Sequence, residues 1–268
     1  MKRIEATFRA LKAKKEKALI VYLTAGDPNL AKTEELILGL ADAGVDIIEV
    51  GVPFSDPTAD GPVIQAAAKR ALDGGANLPD ILGMIKRVRR TSEIPIVLFG
   101  YYNPLFIYGG RHFARTAGEA GVDGILVVDL PPEESAELRQ YTDKAGIDYI
   151  SLIAPTSGRK RTAAIAGKAS GFLYYISITG VTGTATPQTE NVKKDVGQIR
   201  KLTSLPVVVG FGISTPQQAA EIAPHADGIV IGSAFVRMIA EIGATEDLVP
   251  RICRYAADIK KALAHAQP

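Results

Sequence analysis

The chain has 268 residues, 47% hydrophobic and 22% charged, close to the roughly 45–50% and 25% of globular proteins, which excludes disorder and collagen-like repetition. Its 31 basic residues against 29 acidic ones leave a net charge of +2, too balanced for a protein that lives on nucleic acid or acidic lipid. Cys253 is the one cysteine, so no internal disulfide can form; a reducing compartment, the cytoplasm, is expected.

The amino terminus carries Lys2, Arg3, Arg9, Lys12, Lys14, Lys15 and Lys17 ahead of the apolar run Ala18-Leu-Ile-Val-Tyr-Leu-Thr-Ala25. A secretory leader has that outline, but Glu5 and Glu16 interrupt the basic stretch and Gly-Asp-Pro ends the run at once, so a basic helix leading into a strand is expected instead. Strands are expected near 19–24, 46–50, 95–101, 123–128, 148–153, 171–177, 206–211 and 227–232. Helical patterns lie near 29–43, 62–72 with 78–91, 111–120, 132–145, 158–169, 189–203 and 215–223, followed by a last helical region from about 233 to 264. No apolar stretch approaches the roughly 18 residues of a membrane span, and no Cys/His spacing suits a metal.

One phrase recurs as Ala43-Gly-Val-Asp-Ile-Ile48, Ala120-Gly-Val-Asp-Gly-Ile125 and Ala145-Gly-Ile-Asp-Tyr-Ile150, with a looser form at His225-Ala-Asp-Gly-Ile229. It reads as a helix closed by a left-handed glycine, then a tight turn into a buried strand. The strands are continuous in Val, Ile and Leu, as parallel strands covered on both faces must be. Eight strand-helix units with no linker predict one α/β domain over residues 1–268, a (β/α)₈ TIM barrel. An open doubly wound sheet differs from it by a single strand.

In such a barrel the chemistry lies beyond the carboxyl ends of the strands. Glu49 interrupts the apolar run Ile47-Ile-Glu-Val-Gly51 near such an end. A carboxyl buried there must be paired or protonated, and protonation near neutrality suits a general acid that also serves as base; tying to a neighbouring donor is the structural alternative. The loop Phe54-Ser-Asp-Pro-Thr-Ala-Asp-Gly-Pro62 follows, stiffened by prolines, and either turns the chain or brings a second carboxylate over the same mouth. Val209-Gly-Phe-Gly212, with Ser214 as a plausible N-cap before Pro216, and Ile231-Gly-Ser-Ala234 are glycine turns that either serve close packing or admit a phosphate to backbone N–H groups. The hydroxyl-rich segment 178–188, with Gly180 and Gly183, is long for such a connection and reads as a lid or a surface loop.

Taken in order, Glu49 with Gly51-Val-Pro-Phe-Ser-Asp-Pro-Thr-Ala-Asp-Gly-Pro62, Gly100-Tyr-Tyr-Asn-Pro104, Asp129-Leu-Pro-Pro-Glu-Glu134, Ala154-Pro-Thr156, Gly180-Val-Thr-Gly183 and Gly210-Phe-Gly212 resemble the tryptophan synthase α-subunit family. The resemblance runs from about residue 20 to 235, and Pro53 to Pro62 is its most specific part. It implies a (β/α)₈ lyase of tryptophan biosynthesis that cleaves indole-3-glycerol phosphate to indole and glyceraldehyde 3-phosphate. Glu49 would be the general acid-base and Asp60 the carboxylate that answers charge at the indole nitrogen. Tyr174 would place a hydroxyl beside Glu49. Phe99, Tyr101 and Leu152 would line the indole pocket, and Thr182 would meet Asp60 on lid closure. Gly183, Phe211, Gly212, Gly232 and Ser233 would form or flank the phosphate site. Asp56 matches a residue that communicates with a β-subunit partner, the expected assembly being α2β2. The family resemblance implies no metal or organic cofactor in this chain, pyridoxal phosphate belonging to the partner.

Thr58 and Phe99 depart from the residues common in the family, and the lid lacks an arginine that many members carry. These departures touch indole packing, lid closure and partner coupling, and none removes a proton-transfer group. Another phosphate-binding barrel would share the glycine turns but has no need of the Pro53–Pro62 loop. A silent scaffold for a β subunit would have lost Glu49 or Asp60. A stand-alone lyase that releases indole remains open.

Overall fold

The computed structural model describes residues 1–176, 189–210 and 212–265. Its strands are β1 (Ala18–Thr24), β2 (Ile47–Gly51), β3 (Ile96–Gly100), β4 (Gly124–Val127), β5 (Asp148–Tyr149), β6 (Ser151–Ile153), β7 (Leu173–Ile176), β8 (Val207–Gly210) and β9 (Gly228–Ile231). All pair in parallel, in the order β5-β4-β3-β2-β1-β9-β8-β7-β6. β5 and β6 are two halves of one run. The Ile150 N–H between them still donates to Ile125 O at 2.9 Å, so the first half belongs to β4 and the second to β7. The sheet therefore returns on itself with eight staves, the TIM barrel expected from the alternation of apolar runs and helices.

Alternate residues of the staves fill the interior. Ala18, Ile20, Ile47, Val97, Leu126, Ile150, Phe172, Val208 and Val230 form one apolar column. The basic helix Arg3–Lys14 presents Ile4, Phe8 and Leu11, spaced i, i+4 and i+7, to that same column. It closes the amino-terminal mouth, with the Phe8 and Phe172 rings 5.7 Å apart. Gly124 makes room for it: a Cβ there would stand 3.1 Å from Ile4 Cδ1. Lys2 bonds Asp148 at 2.7 Å and Arg3 bonds Asp123 at 3.1 Å, pinning the plug.

The recurrent phrase has a second use, which its spacing did not reveal. Its glycines Gly44, Gly121 and Gly146 do take positive φ. Its aspartates cap neighbouring strands: Asp46 accepts from Leu19 N at 2.7 Å, Asp123 from Ile96 N at 2.9 Å, and Asp227 from Val207 N at 2.8 Å. A cation answers each remaining charge, Lys260 at 2.6 Å, Arg89 at 2.7 Å and Arg200 at 2.8 Å. Amides at the starts of those strands are thus satisfied by paired aspartates.

Three helical boundaries differ from expectation. Tyr102–Tyr108 is an additional helix, started by the Asp129 carboxylate, which accepts from Tyr102 N at 2.8 Å across the mouth. The 132–145 pattern yields only Ala136–Thr142, because the chain first turns at Pro131 and Pro132 and the Ser135 hydroxyl bonds Pro132 O at 2.9 Å. The last region is two helices, Ser233–Ile242 and Leu248–His265, separated by Gly243 at φ 68°.

Asp123 is the test of this pairing, since its loss strands the Ile96 amide and leaves Arg89, whose side chain is only 10% exposed, with backbone carbonyls and no carboxylate. Asp123→Ala is expected to lower unfolding free energy by about 3–5 kcal/mol in chemical denaturation. Glu35→Ala, at an exposed pair with Lys32, should change it by less than about 1 kcal/mol.

Candidate active site

Glu49 is the third residue of β2, all five of whose residues are buried. It lies between Ile47 and Gly51 on the interior face, so strand alternation places it above the apolar column. The residue is 1% exposed, and neither carboxylate oxygen has a hydrogen-bond partner among the described residues. Burial alone pushes its carboxyl up to about 8. It is therefore protonated at neutral pH, with a proton available to give and a carboxylate available to take one back.

Tyr174 stands on β7 facing inward, 5% exposed, and burial followed by the nearby Glu49 charge holds its hydroxyl well above its ordinary range. Its ring leans onto β8, where a Cβ on Gly210 would collide with the hydroxyl. Leu152 on β6 is its register partner, so the two share a side of the mouth. Phe99 on β3 packs from the other side against Tyr22, ring centroids 5.3 Å apart at 80°.

Asp60 arrives from the loop between β2 and the helix Pro62–Asp73. Its backbone is tied down by Asp60 N donating to Pro57 O at 3.1 Å and by Gln65 Nε2 donating to Asp60 O at 2.8 Å. Tyr101, at the end of β3, accepts from Ala59 N at 2.9 Å and bonds the Asp60 side chain. The Phe54 ring stacks beside it at 5.3 Å. Burial raises the Asp60 carboxyl to about 6, the Tyr101 hydroxyl opposing the rise. The two acids thus occupy unlike surroundings, one dry and unpartnered, the other hydroxyl-bonded at the rim. Asp56 projects from the same loop, exposed, accepting from Ser55 Oγ at 2.5 Å.

β8 and β9 are neighbours, and their carboxyl ends bring Gly212, with φ 76°, to the same side as Gly232 and Ser233. Gly232 precedes the helix Ser233–Ile242 and Ser233 opens it, its first amides free of a side-chain cap. The helix after Gly212 is capped otherwise than expected. Thr215 is its N-cap in a capping box with Gln218, Pro216 sits in its first turn, and Ser214 instead gives its own N–H to Gln218 Oε1 at 2.8 Å. Sequence order alone did not separate two adjacent hydroxyl residues; the reach of Gln218 does. Thr182, Gly183, the remainder of 178–188 and Phe211 lie outside the described residues.

The sequence reading missed Tyr22, buried beside Glu49 as its register partner and with its hydroxyl within reach of the charges of Asp60 and Glu49. Its signal was a lone hydroxyl in the run Leu19-Ile-Val-Tyr-Leu23, at a position in phase with Ile20.

The pattern of the family described as Tryptophan synthase alpha chain matches residues 8–264. The chain belongs to this family. It is a lyase of tryptophan biosynthesis that cleaves indole-3-glycerol phosphate to indole and glyceraldehyde 3-phosphate. It is 51% identical to the tryptophan synthase alpha chain of Geobacter sulfurreducens over 263 residues, 98% of this chain and 99% of the relative. With that of Geotalea daltonii it shares 53% over 246 residues, 92% of this chain and 93% of the other. The crystal structure of tryptophan synthase subunit alpha from Legionella pneumophila superposes with a TM-score of 0.91 at 39% identity, covering 98% and 99% of the two chains. A tryptophan synthase structure from M. tuberculosis in an aminoacrylate-bound form gives 0.87 at 32%, covering 98% and 100%. The family implies a β-subunit partner. Among the described residues no helix is long and apolar enough to cross a membrane.

The raised carboxyl of Glu49 also acts on stability. An unfolded chain releases this proton near 4.5, whereas the fold keeps it up to about 8. Between those values the folded state binds more protons, so this group lowers stability as pH rises. Glu49→Gln removes that slope. Its melting temperature relative to wild type should climb steadily from pH 5 to pH 8, and a pH-independent difference in calorimetry would contradict the assignment.

Proposed function

We propose that cleavage runs on the pair Glu49 and Asp60, the observation that carries this being a buried carboxyl with no partner among the described residues and a second, rim-bound acid above it. Protonated Glu49 delivers its proton to the indole ring carbon that bears the side chain. Asp60, ionised, accepts or offsets the indole N–H as positive charge develops on the ring. The carboxylate of Glu49 then takes the proton of the glycerol hydroxyl while the carbon–carbon bond breaks, leaving indole and an aldehyde. Each acid is thus in the protonation state its step requires before substrate arrives.

Tyr174 keeps the acid-base side of the mouth narrow, and Phe99, Tyr101 and Leu152 supply the apolar and aromatic faces for the indole ring. Gly212, Gly232 and Ser233 hold the phosphate through backbone amides, with Gly183 and Phe211 completing that end and Thr182 meeting Asp60. Binding the remote phosphate supplies energy that positions the reacting carbon. The whole of 1–268 acts as one barrel domain, at work in the cytoplasm.

The finer reading of the partner is an α2β2 assembly in which the β subunit carries pyridoxal phosphate and consumes the indole. An apolar patch supports it. Phe106 and Ile107, on the helix Tyr102–Tyr108 that follows the Tyr101 anchor, are 59% and 75% exposed. That anchor holds the loop carrying Asp56, so partner contact and the Asp60 loop share one support.

Indole release from indole-3-glycerol phosphate by the purified chain is the direct test. Glu49→Gln should abolish turnover while leaving substrate affinity within a few fold, and wild-type turnover in that variant would remove Glu49 from the mechanism. Asp60→Asn should be severely impaired. For the wild type, kcat/KM should fall below about pH 6 as Asp60 gains a proton and above about pH 8 as Glu49 loses one. A flat profile across that window contradicts the roles given to the pair. With β subunit added, activity should rise strongly, and Phe106→Asp should blunt that rise while sparing the basal rate. Equal activity with and without β subunit would favour a free lyase.

A further inference from the structure

Tyr22 faces the barrel interior from β1 and is the register partner of Glu49 on β2. Its ring leans across onto β2, where a Cβ on Gly51 would collide with the hydroxyl and stand 2.5 Å from Cζ. Glu49 and Gly51 are two residues apart on one strand and share a face. The Tyr22 hydroxyl therefore occupies the side-chain slot directly above Glu49, on the strand that runs into the Asp60 loop.

The ring is fixed there. It is 8% exposed, edge-on to Phe99, and clustered with Ile64 and Ala67 of the helix Pro62–Asp73 and Val236 of the helix Ser233–Ile242. The hydroxyl accepts a long bond from Thr24 Oγ1 at 3.5 Å, which leaves its own proton for another acceptor. The acids whose charges act on it are Asp60 first and Glu49 second, with Tyr101 beside them.

We propose that Tyr22 is a positioning residue for the cleavage, its hydroxyl donating to the Asp60 carboxylate and, with Tyr101, holding that carboxylate ionised over Glu49. This rests on the role given to Asp60 above. Tyr101 bonds Asp60 from the β3 side and the Tyr22 hydroxyl would meet it from the β1 side, while among the described residues no donor bonds Glu49 below.

The test is kcat/KM against pH for the full chain, with and without β subunit, comparing wild type, Tyr22→Phe, Asp60→Asn and the double variant. Tyr22→Phe keeps the ring and its packing. It should leave the melting temperature unchanged, lower kcat/KM about 10- to 100-fold, as loss of one bond to a charged group does, and move the acid limb to higher pH. In the Asp60→Asn background the same change should cost less than about twofold, because residues acting as a unit are not additive. Fluorotyrosine at position 22 preserves shape and donates more strongly. It should move the acid limb the opposite way, and it decides the matter should Tyr22→Phe fail to fold. An unmoved acid limb, or an equal loss in both backgrounds, overturns the proposal while leaving Asp60 in place. A wild-type rate for Asp60→Asn removes the Asp60 role and this inference with it.

Discussion

A carboxyl group with no hydrogen-bond partner among the described residues, sealed above an apolar column, is the constraint around which the site is arranged. Burying an unpaired charge is prohibitive, so the protein keeps Glu49 neutral instead. The same desolvation that penalises the anion makes the proton available near neutral pH. Had a lysine or arginine reached Glu49, the group would be ionised like any surface acid and unable to act first as a donor.

The opposite end of the barrel treats acids in the reverse manner. Asp46, Asp123 and Asp227 each accept from an amide at the start of a neighbouring strand and pair with a cation. Asp148 pairs with Lys2 of the amino-terminal plug. Those charges are each hydrogen-bonded or paired, so they fasten staves and closing helix together. The floor is held by these paired and hydrogen-bonded groups. That leaves the rim free to carry an unsatisfied one, a division between scaffold and site that this fold permits because the two lie at opposite strand ends.

Space at the rim comes from residues that lack side chains. Gly51 and Gly210 leave slots on β2 and β8 that the hydroxyls of Tyr22 and Tyr174 enter from the adjacent staves. Aromatic bulk thereby surrounds Glu49, and among the described residues no donor bonds its carboxyl. The loop that carries Asp60 gains its rigidity from prolines and from Tyr101, which also begins the stretch leading to the exposed Phe106 and Ile107. A partner resting on that helix would press on the same aromatic anchor that orients Asp60.

Eight apolar runs, the left-handed glycines that precede several of them and the isolated acid in β2 were legible from the chain, because each is a local pattern of period two, of turn chemistry or of one misfit in an apolar run. The family followed from the motif order, above all Pro53 to Pro62. What the order of residues left open was decided by contacts between distant segments. Asp129 starts the helix at Tyr102, Gln218 selects Thr215 over Ser214 as a cap, and the basic amino-terminal helix proves to be the floor of the barrel. Tyr22 read as one more core residue because period-two patterning tells which face a side chain takes and nothing about the neighbour it leans upon. Only closure of the sheet, bringing β1 against β2 and β9, gives its hydroxyl a place above Glu49, since the free energy of a buried polar group is set by what surrounds it in space.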